Sequence, residues 1–170
     1  MEADISYERF PWPIVLLANV VTLSIYAVGT YLLWGLSFWW AILYLLYCVW
    51  MEWHLLTKSC VNCYYYGKVC GFGKGKLCAL LVKQGDPQKF GAGPFSWRDL
   101  IPDFGVLVFP AVGAIVGLIV AFRWINLGLL VVLLVLCLGG NAVVRGSFAC
   151  RYCKQRELGC PAEQLFSRQT

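Results

Sequence analysis

The sequence predicts an all-α integral membrane protein with four transmembrane helices, arranged as two tandem helical hairpins that are each followed by a cytoplasmic C-x2-C-x6-C motif. The first observation is composition: 60% of the 170 residues are hydrophobic and 14% are charged, whereas soluble domains are roughly 45–50% apolar. The second is that four stretches approach the roughly 20 apolar residues that a helix needs to cross a bilayer. The third is that the same cysteine spacing occurs twice, 90 residues apart.

The four predicted spans cover residues 14–33, 38–56, 105–122 and 127–144. Short turns, "WGLS" and "RWIN", separate the members of each pair, and we therefore expect two antiparallel helical hairpins. The acidic start "MEADISYERFPWP" lacks the basic region of a secretory signal peptide. The first apolar stretch is thus predicted to be a retained span.

A polar segment, residues 57–103, connects the hairpins and is the longest loop of the chain. It divides the sequence into a first hairpin with its cysteine motif (1–80), an interfacial connector (81–99) and a second hairpin with its motif (100–170), within one membrane domain. The stretches "KLCALLVKQG" and "FSWRDLIPDF" mix apolar and charged residues around an aromatic anchor, Trp97, which is typical of short segments at a membrane surface. An unstructured connector is the alternative.

The basic residues predict the orientation of the protein. Seven lysines and arginines lie in the central segment and five in the tail, whereas the two hairpin turns hold only Arg123. By the positive-inside rule, both cysteine motifs and both termini should face the cytoplasm, with the protein in the inner membrane. The even number of spans agrees, because it returns the tail to the side of the connector.

This location affects the interpretation of the nine cysteines. In the reducing cytoplasm, clustered thiols are more often metal ligands or redox-active groups than disulfides. Cys48 and Cys137 lie in the middle of predicted spans, where we expect them to be small buried apolar residues.

A constant offset relates the two cysteine motifs. Adding 90 to each cysteine position of the first motif gives a cysteine of the second, and the same offset carries Trp34 onto Trp124. This pattern predicts a tandem repeat of hairpin plus motif. Because each unit has two spans, an axis along the membrane normal should relate the units and bring the motifs face to face. The matched residues are Cys60, Cys63 and Cys70 in the first motif and Cys150, Cys153 and Cys160 in the second.

One predicted ligand set is shared between the motifs. The two C-x2-C pairs would supply four thiolates to a single structural zinc ion. Two thiols would then remain as a symmetric pair, available to a second metal or to a redox-active disulfide. The zinc ligands in this model are Cys60, Cys63, Cys150 and Cys153, and the remaining pair is Cys70 and Cys160.

The other predicted ligand set keeps the motifs independent, with three cysteines in each site. Cys78 or His54 would complete the first site, whereas the second motif has no equivalent residue. A three-cysteine site with an open iron position is compatible with a [4Fe–4S] cluster. The predicted cofactor is therefore Zn²⁺ or [4Fe–4S], and the sequence does not choose between them.

Two polar pairs lie close to the first motif. Lys74 and Lys76, in the glycine-rich stretch "GFGKGKL", are predicted to contact lipid headgroups or another anion, and a tight turn with positive-inside lysines is the alternative. Glu52 and His54, near the cytoplasmic end of the second span, are interpreted as structural or as support for a metal ligand. Neither has a counterpart in the second repeat.

The functional hypothesis is a small membrane protein that binds zinc or an iron–sulfur cluster through the duplicated motifs and acts as an accessory or electron-transfer subunit of a membrane complex. Mid-membrane carboxylate pairs and the common catalytic motifs are absent from the sequence. A membrane thiol–disulfide oxidoreductase is one alternative, and a protein that handles lipid headgroups or heavy metals is another. The sequence thus leaves open whether the protein is an enzyme. Its expected partners are the lipid bilayer and other membrane subunits, without nucleic acid.

Overall fold

The computed structural model describes residues 6–90, 97–158 and 160, and it confirms the all-α prediction for this part of the chain. The α-helices are α1 (Trp12–Trp34), α2 (Phe38–Lys58), α3 (Lys74–Leu81), α4 (Trp97–Val120) and α5 (Trp124–Leu134). Helix α5 continues with π-helical turns over Val135–Gly140 and Val143–Cys150. Short 3₁₀ turns cover Cys60–Asn62, Pro87–Lys89 and Lys154–Arg156.

Three of the described helices are long and apolar enough to cross a membrane. They are Trp12–Trp34, Ile101–Val120 and Trp124–Cys150, with mean hydropathies of 1.8, 2.2 and 2.6. Helix α2 has 21 residues, but its tryptophans and tyrosines, together with Glu52 and His54, lower its hydropathy. Length and composition therefore support a membrane protein with three spans among the described residues.

The chain forms two compact units. The cysteine unit comprises Met1–Ala18, Trp53–Ser96 and Val144–Thr170, and the helix unit comprises Asn19–Glu52 and Trp97–Val143. Both cysteine motifs belong to the cysteine unit, although about 90 residues separate them in the sequence. The fold thus places all six repeated cysteines in one compact region.

Apolar side chains from the long helices form the core of the helix unit. One cluster contains Ile25, Leu32, Ala114 and Leu133, and a second contains Leu33, Tyr44 and Cys48. Cys48 is buried, and Cys137 packs against the first cluster. The predicted burial is therefore confirmed for Cys48, whereas Cys137 is only half-buried among apolar side chains.

In the helix unit, a tyrosine compensates for a hydrogen bond that a proline removes from α4. Pro110 lies inside α4 and has no N–H, so the carbonyl of Val106 lacks its usual helical donor. The hydroxyl of Tyr44 donates to this carbonyl at 2.9 Å. Gly29 provides the space, because a Cβ at this position would lie 2.7 Å from the Tyr44 hydroxyl oxygen. Such compensation matters in a bilayer, where no water is available to the free carbonyl.

The hairpin turns do not follow the 90-residue offset of the cysteines. Cys60 lies 23 residues after Ser37, where the α1–α2 turn ends, whereas Cys150 lies 27 residues after Arg123, where the α4–α5 turn ends. Trp34 is accordingly the last residue of α1, while Trp124 is the first of α5, so the predicted equivalence of these tryptophans is wrong. The four additional residues fall in the helix with π-helical turns, which hold more residues per turn than an α-helix.

The connector also differs from its predicted form. Helix α4 begins at Trp97, eight residues before the predicted span. The stretch from Trp97 to Asp103 therefore forms the first turns of α4 and is not a separate surface piece. The other predicted surface piece contains helix α3, and residues 91–96 lie outside the described residues.

Candidate functional site

The two C-x2-C pairs adopt the same local backbone structure. The N–H of Cys63 donates to the carbonyl of Cys60 at 3.3 Å, and the N–H of Cys153 donates to the carbonyl of Cys150 at 3.2 Å. Both second cysteines are extended, with φ and ψ of −80° and 147° at Cys63 and −84° and 118° at Cys153. In both motifs the residue three positions after the second cysteine, Tyr66 or Arg156, donates its N–H to the carbonyl of that cysteine at 3.0 Å. Each pair is therefore the same turn.

Two reciprocal hydrogen bonds join the motifs. The N–H of Tyr64 donates to Oε1 of Gln155 at 2.7 Å, and the N–H of Lys154 donates to the hydroxyl oxygen of Tyr65 at 2.9 Å. In each case the residue directly after the second cysteine bonds the side chain at the next position of the other motif. An exchange of equivalent contacts is the pattern that a two-fold axis produces.

The two side chains of this exchange are almost completely buried. Tyr65 is 1% exposed and Gln155 is 4% exposed. The hydroxyl of Tyr65 also donates to the carbonyl of Tyr7 at 2.5 Å, so it is both donor and acceptor. Because buried polar groups are costly without partners, these bonds specify one arrangement of the two motifs. Burial raises the pKa of Tyr65 to about 12, which keeps the hydroxyl protonated and able to donate.

The N-terminal segment contacts both motifs. The N–H of Tyr7 donates to the carbonyl of Tyr152 at 2.9 Å, and the N–H of Phe10 donates to the carbonyl of Val69 at 3.0 Å. The ring of Phe10 is 5% exposed and lies 5.5 Å from the ring of Tyr65, centroid to centroid. Residues 7–10 therefore connect the first motif to the second through backbone bonds and aromatic packing.

An ion pair between Glu8 and Lys154 accompanies these contacts at the surface. Their side chains approach to 2.6 Å, and the hydrogen bond and charge of Lys154 lower the pKa of Glu8. Both groups are open to water, which weakens such pairs. We therefore ascribe the position of the N-terminal segment to Tyr7 and Phe10.

Helix α3 also packs against the first motif. Cys78 is 0% exposed, and its thiol donates to the carbonyl of Leu56 at 3.5 Å, within an apolar cluster that includes Val61. At Gly75 the helix meets the motif backbone, because an added Cβ would lie 2.1 Å from the carbonyl oxygen of Tyr65. Only glycine allows this close approach.

All nine cysteines are free thiols, and the six of the repeated motifs are half-buried. Burial raises the pKa of Cys60 to about 12, of Cys63 to about 11 and of Cys153 to about 12. Neighbouring thiols act in the same direction, and the neighbours of Cys63 include Cys160 of the other motif. The motifs therefore share one electrostatic environment. At neutral pH these three thiols are protonated, unlike the low-pKa thiolates of most redox-active cysteines.

The thiols do not form a preassembled metal site. Among residues 6–90, 97–158 and 160, no three side chains of His, Cys, Asp or Glu are grouped so that they could hold a metal ion. This holds for the shared set of Cys60, Cys63, Cys150 and Cys153 and for the separate three-cysteine sets. The structure thus brings the two motifs into one unit without grouping three of these described side chains as metal ligands.

The other predicted site residues have different environments. His54 is half-buried on α2, six residues before Cys60. Lys74 is the first residue of α3 and half-buried, and its charge acts on Cys60. Lys76 is exposed on the same helix. Of the two predicted lipid contacts, only Lys76 therefore has an open side chain.

Sequence reasoning missed the residues that join the motifs, above all Tyr65 and Gln155. The two residues differ in chemistry, so a comparison by residue type shows no similarity. Their positions carry the signal, since each lies two residues after the second cysteine of its motif. A search for side chains that could exchange hydrogen bonds at equivalent positions would have found them.

Comparisons of the chain with protein-family models, curated proteins and solved structures gave no significant match. The described residues define a helical protein with apolar helices of membrane-spanning length and two cysteine motifs joined in one unit. Its function is therefore inferred from that unit.

Proposed function

We propose that this protein is a small membrane protein that binds metal through its paired cysteine motifs and serves as an accessory or electron-transfer subunit of a membrane complex. The observation that carries the proposal is the reciprocal bonding of Tyr64 to Gln155 and of Lys154 to Tyr65. These bonds hold two identical C-x2-C turns in one compact unit. Thiols that act independently would not require the two motifs to be joined in this way.

The donor set fits a soft metal centre. Six thiols lie in two joined motifs, and thiolate sulfur selects zinc or iron–sulfur clusters over oxygen-preferring metals. When bound, such a centre would supply either a structural crosslink or a site for one-electron transfer. Cys60, Cys63, Cys150 and Cys153 would hold it, with Cys70 and Cys160 as further ligands. Coordination requires rotation of these side chains toward one another and loss of their protons.

Metal analysis of anaerobically purified protein tests the proposal. We expect zinc in colourless protein, or iron and sulfide with broad absorbance near roughly 400 nm. Cys48→Ala and Cys137→Ala are the controls, because both cysteines belong to the helix unit and lie outside the motifs. These variants should retain the metal. Protein without metal, with all motif thiols free to react, would contradict the proposal and favour the thiol–disulfide oxidoreductase.

On this proposal, α2 is a fourth span, and both motifs and both termini face the cytoplasm of the inner membrane. The support is the lysine-rich cysteine unit, set against a single arginine, Arg123, in the two hairpin turns. A phosphatase reporter that is active only outside the cytoplasm should be active when fused after Leu36 and inactive when fused after Gly85. Activity at both positions would show that α2 does not cross the membrane.

A further inference from the structure

Helix α3 has one face fixed to the protein. Cys78 is fully buried and bonded to the carbonyl of Leu56, and Gly75 lies against the backbone of Tyr65. These contacts determine which side of the eight-residue helix points outward. The orientation of its remaining side chains is therefore a property of the fold and not of a loosely attached segment.

The outward face of α3 is apolar. Leu77, Leu80 and Leu81 are 47%, 82% and 54% exposed. Their spacing of three and four residues places them on one side of the helix. Three adjacent exposed leucines on so short a helix form a patch that water solvates poorly, which indicates a binding surface.

The charges and position of this face identify its partner. Lys76 and Lys83 are exposed at its border, and residues 74–90 contain four lysines and one acidic residue, Asp86. The helix packs at Leu56, one turn beyond Trp53, a half-exposed tryptophan of the kind that lies at membrane surfaces. An apolar stripe bordered by lysines at this level matches the boundary between acyl chains and anionic headgroups.

We propose that α3 is an in-plane interfacial helix that binds the anionic phospholipid surface of the bilayer. Its three leucines enter the acyl boundary, and Lys76 and Lys83 contact the headgroup phosphates. The same helix holds Cys78 and Gly75 against the first cysteine motif, so lipid binding and the packing of that motif share one element. This proposal does not depend on metal binding by the thiols.

Photocrosslinking in lipid nanodiscs tests the proposal with the full chain. A benzophenone amino acid replaces Leu80, and the discs contain phosphatidylcholine with or without phosphatidylglycerol. We expect lipid adducts at Leu80. The fraction of phosphatidylglycerol among these adducts should be several-fold higher than its fraction of the lipid in the disc. The same probe at Glu157, an exposed position of the second motif region, should give few adducts.

Lysine substitutions separate the charge effect from the apolar one. The variant Lys76→Gln with Lys83→Gln should remove most of the phosphatidylglycerol preference, because these lysines supply the electrostatic attraction to anionic headgroups. Arg151→Gln with Arg156→Gln, at two exposed positions outside α3, removes the same charge and should leave the preference unchanged. An unchanged preference in the lysine double variant, or crosslinks from Leu80 to a second protein copy without lipid adducts, would overturn the proposal.

Discussion

The N–H of Lys154 bonds the hydroxyl oxygen of Tyr65 at 2.9 Å, across a separation of 89 residues in sequence. The bond from Tyr64 to Gln155 mirrors it at 2.7 Å. Together they tie the two cysteine motifs into one unit without a disulfide. The position of the motifs relative to each other is therefore set by backbone N–H groups and two buried side chains.

Removal of the Tyr65 hydroxyl should loosen this unit. In Tyr65→Phe the N–H of Lys154 and the carbonyl of Tyr7 lose a buried partner, so we expect the free energy of unfolding to fall by about 1–3 kcal/mol. Thermal unfolding in detergent measures the effect. Gln155→Leu removes the acceptor of the Tyr64 N–H and should likewise lower the stability, because this position is 4% exposed. Equal stability of Tyr65→Phe and the wild type would contradict the role of this bond.

A double-mutant cycle tests the compensation in α4. Tyr44→Phe leaves the Val106 carbonyl without a donor, because Pro110 has no N–H to supply one. The expected loss of stability is about 1–3 kcal/mol. In a Pro110→Ala background the helix provides its own donor, and the loss caused by Tyr44→Phe should shrink by at least about 1 kcal/mol. Additive effects of the two substitutions would rule out the compensation.

Alanine at Gly75 should separate α3 from the first motif. The new Cβ would lie 2.1 Å from the carbonyl oxygen of Tyr65, and a backbone atom cannot move away as a flexible side chain can. We expect a loss at or above the roughly 1–3 kcal/mol typical of overpacking. Gly146→Ala is the control, since nothing lies within 4 Å of its added Cβ. A loss no larger than that of the control would show that α3 is not packed at this glycine.

The sequence predicts the architecture better than it predicts the site. Helices α1 and α2 begin and end within a few residues of the predicted spans, because long apolar runs between short turns leave few alternatives. The start of α4 at Trp97 was missed, since charged residues and Pro102 occupy its first turns. Pro102 is the sixth residue of α4 and lies beyond its first turn, where a proline removes one helical hydrogen bond.

The pairing of the motifs illustrates what sequence patterns omit. Equal cysteine spacing predicts that the two turns have similar local structures. It does not predict which residues form the contacts between them. The contact depends on Tyr65 and Gln155, whose different side chains serve as acceptors for the same backbone position. The cysteine offset also does not reveal that the second motif lies four residues further from its hairpin turn than the first does. These residues are accommodated in the helix before Cys150.

The raised pKa of Cys63 predicts slow alkylation of metal-free protein. With a pKa of about 11, roughly one thiol in a thousand is ionised at pH 8, against about a quarter for an unperturbed cysteine. The alkylation rate, followed by mass spectrometry, should rise about tenfold per pH unit up to pH 11. Reaction of Cys63 at pH 8 at the rate of the unfolded protein would contradict the burial.

The same pKa values make the stability of metal-free protein pH-dependent. The folded state holds the protons of Cys60, Cys63 and Cys153 more tightly than the unfolded state, in which a thiol has a pKa of about 8.5. The stabilisation is therefore complete below about pH 8.5 and is lost as pH rises toward 11 to 12. A bound metal should reverse this dependence below about pH 8.5, because the ligands are deprotonated in the folded state and take up protons on unfolding.

The metal content and stability of Cys63→Ser, Cys153→Ser and the double variant test the central claim most directly. If the joined motifs hold one metal, either single variant opens the same site, and the double variant should be little worse than each single one. Separate sites predict additive losses and would exclude a shared metal. Wild-type metal content and stability in both single variants and in the double variant would contradict the account, since Cys63 and Cys153 would then not be ligands.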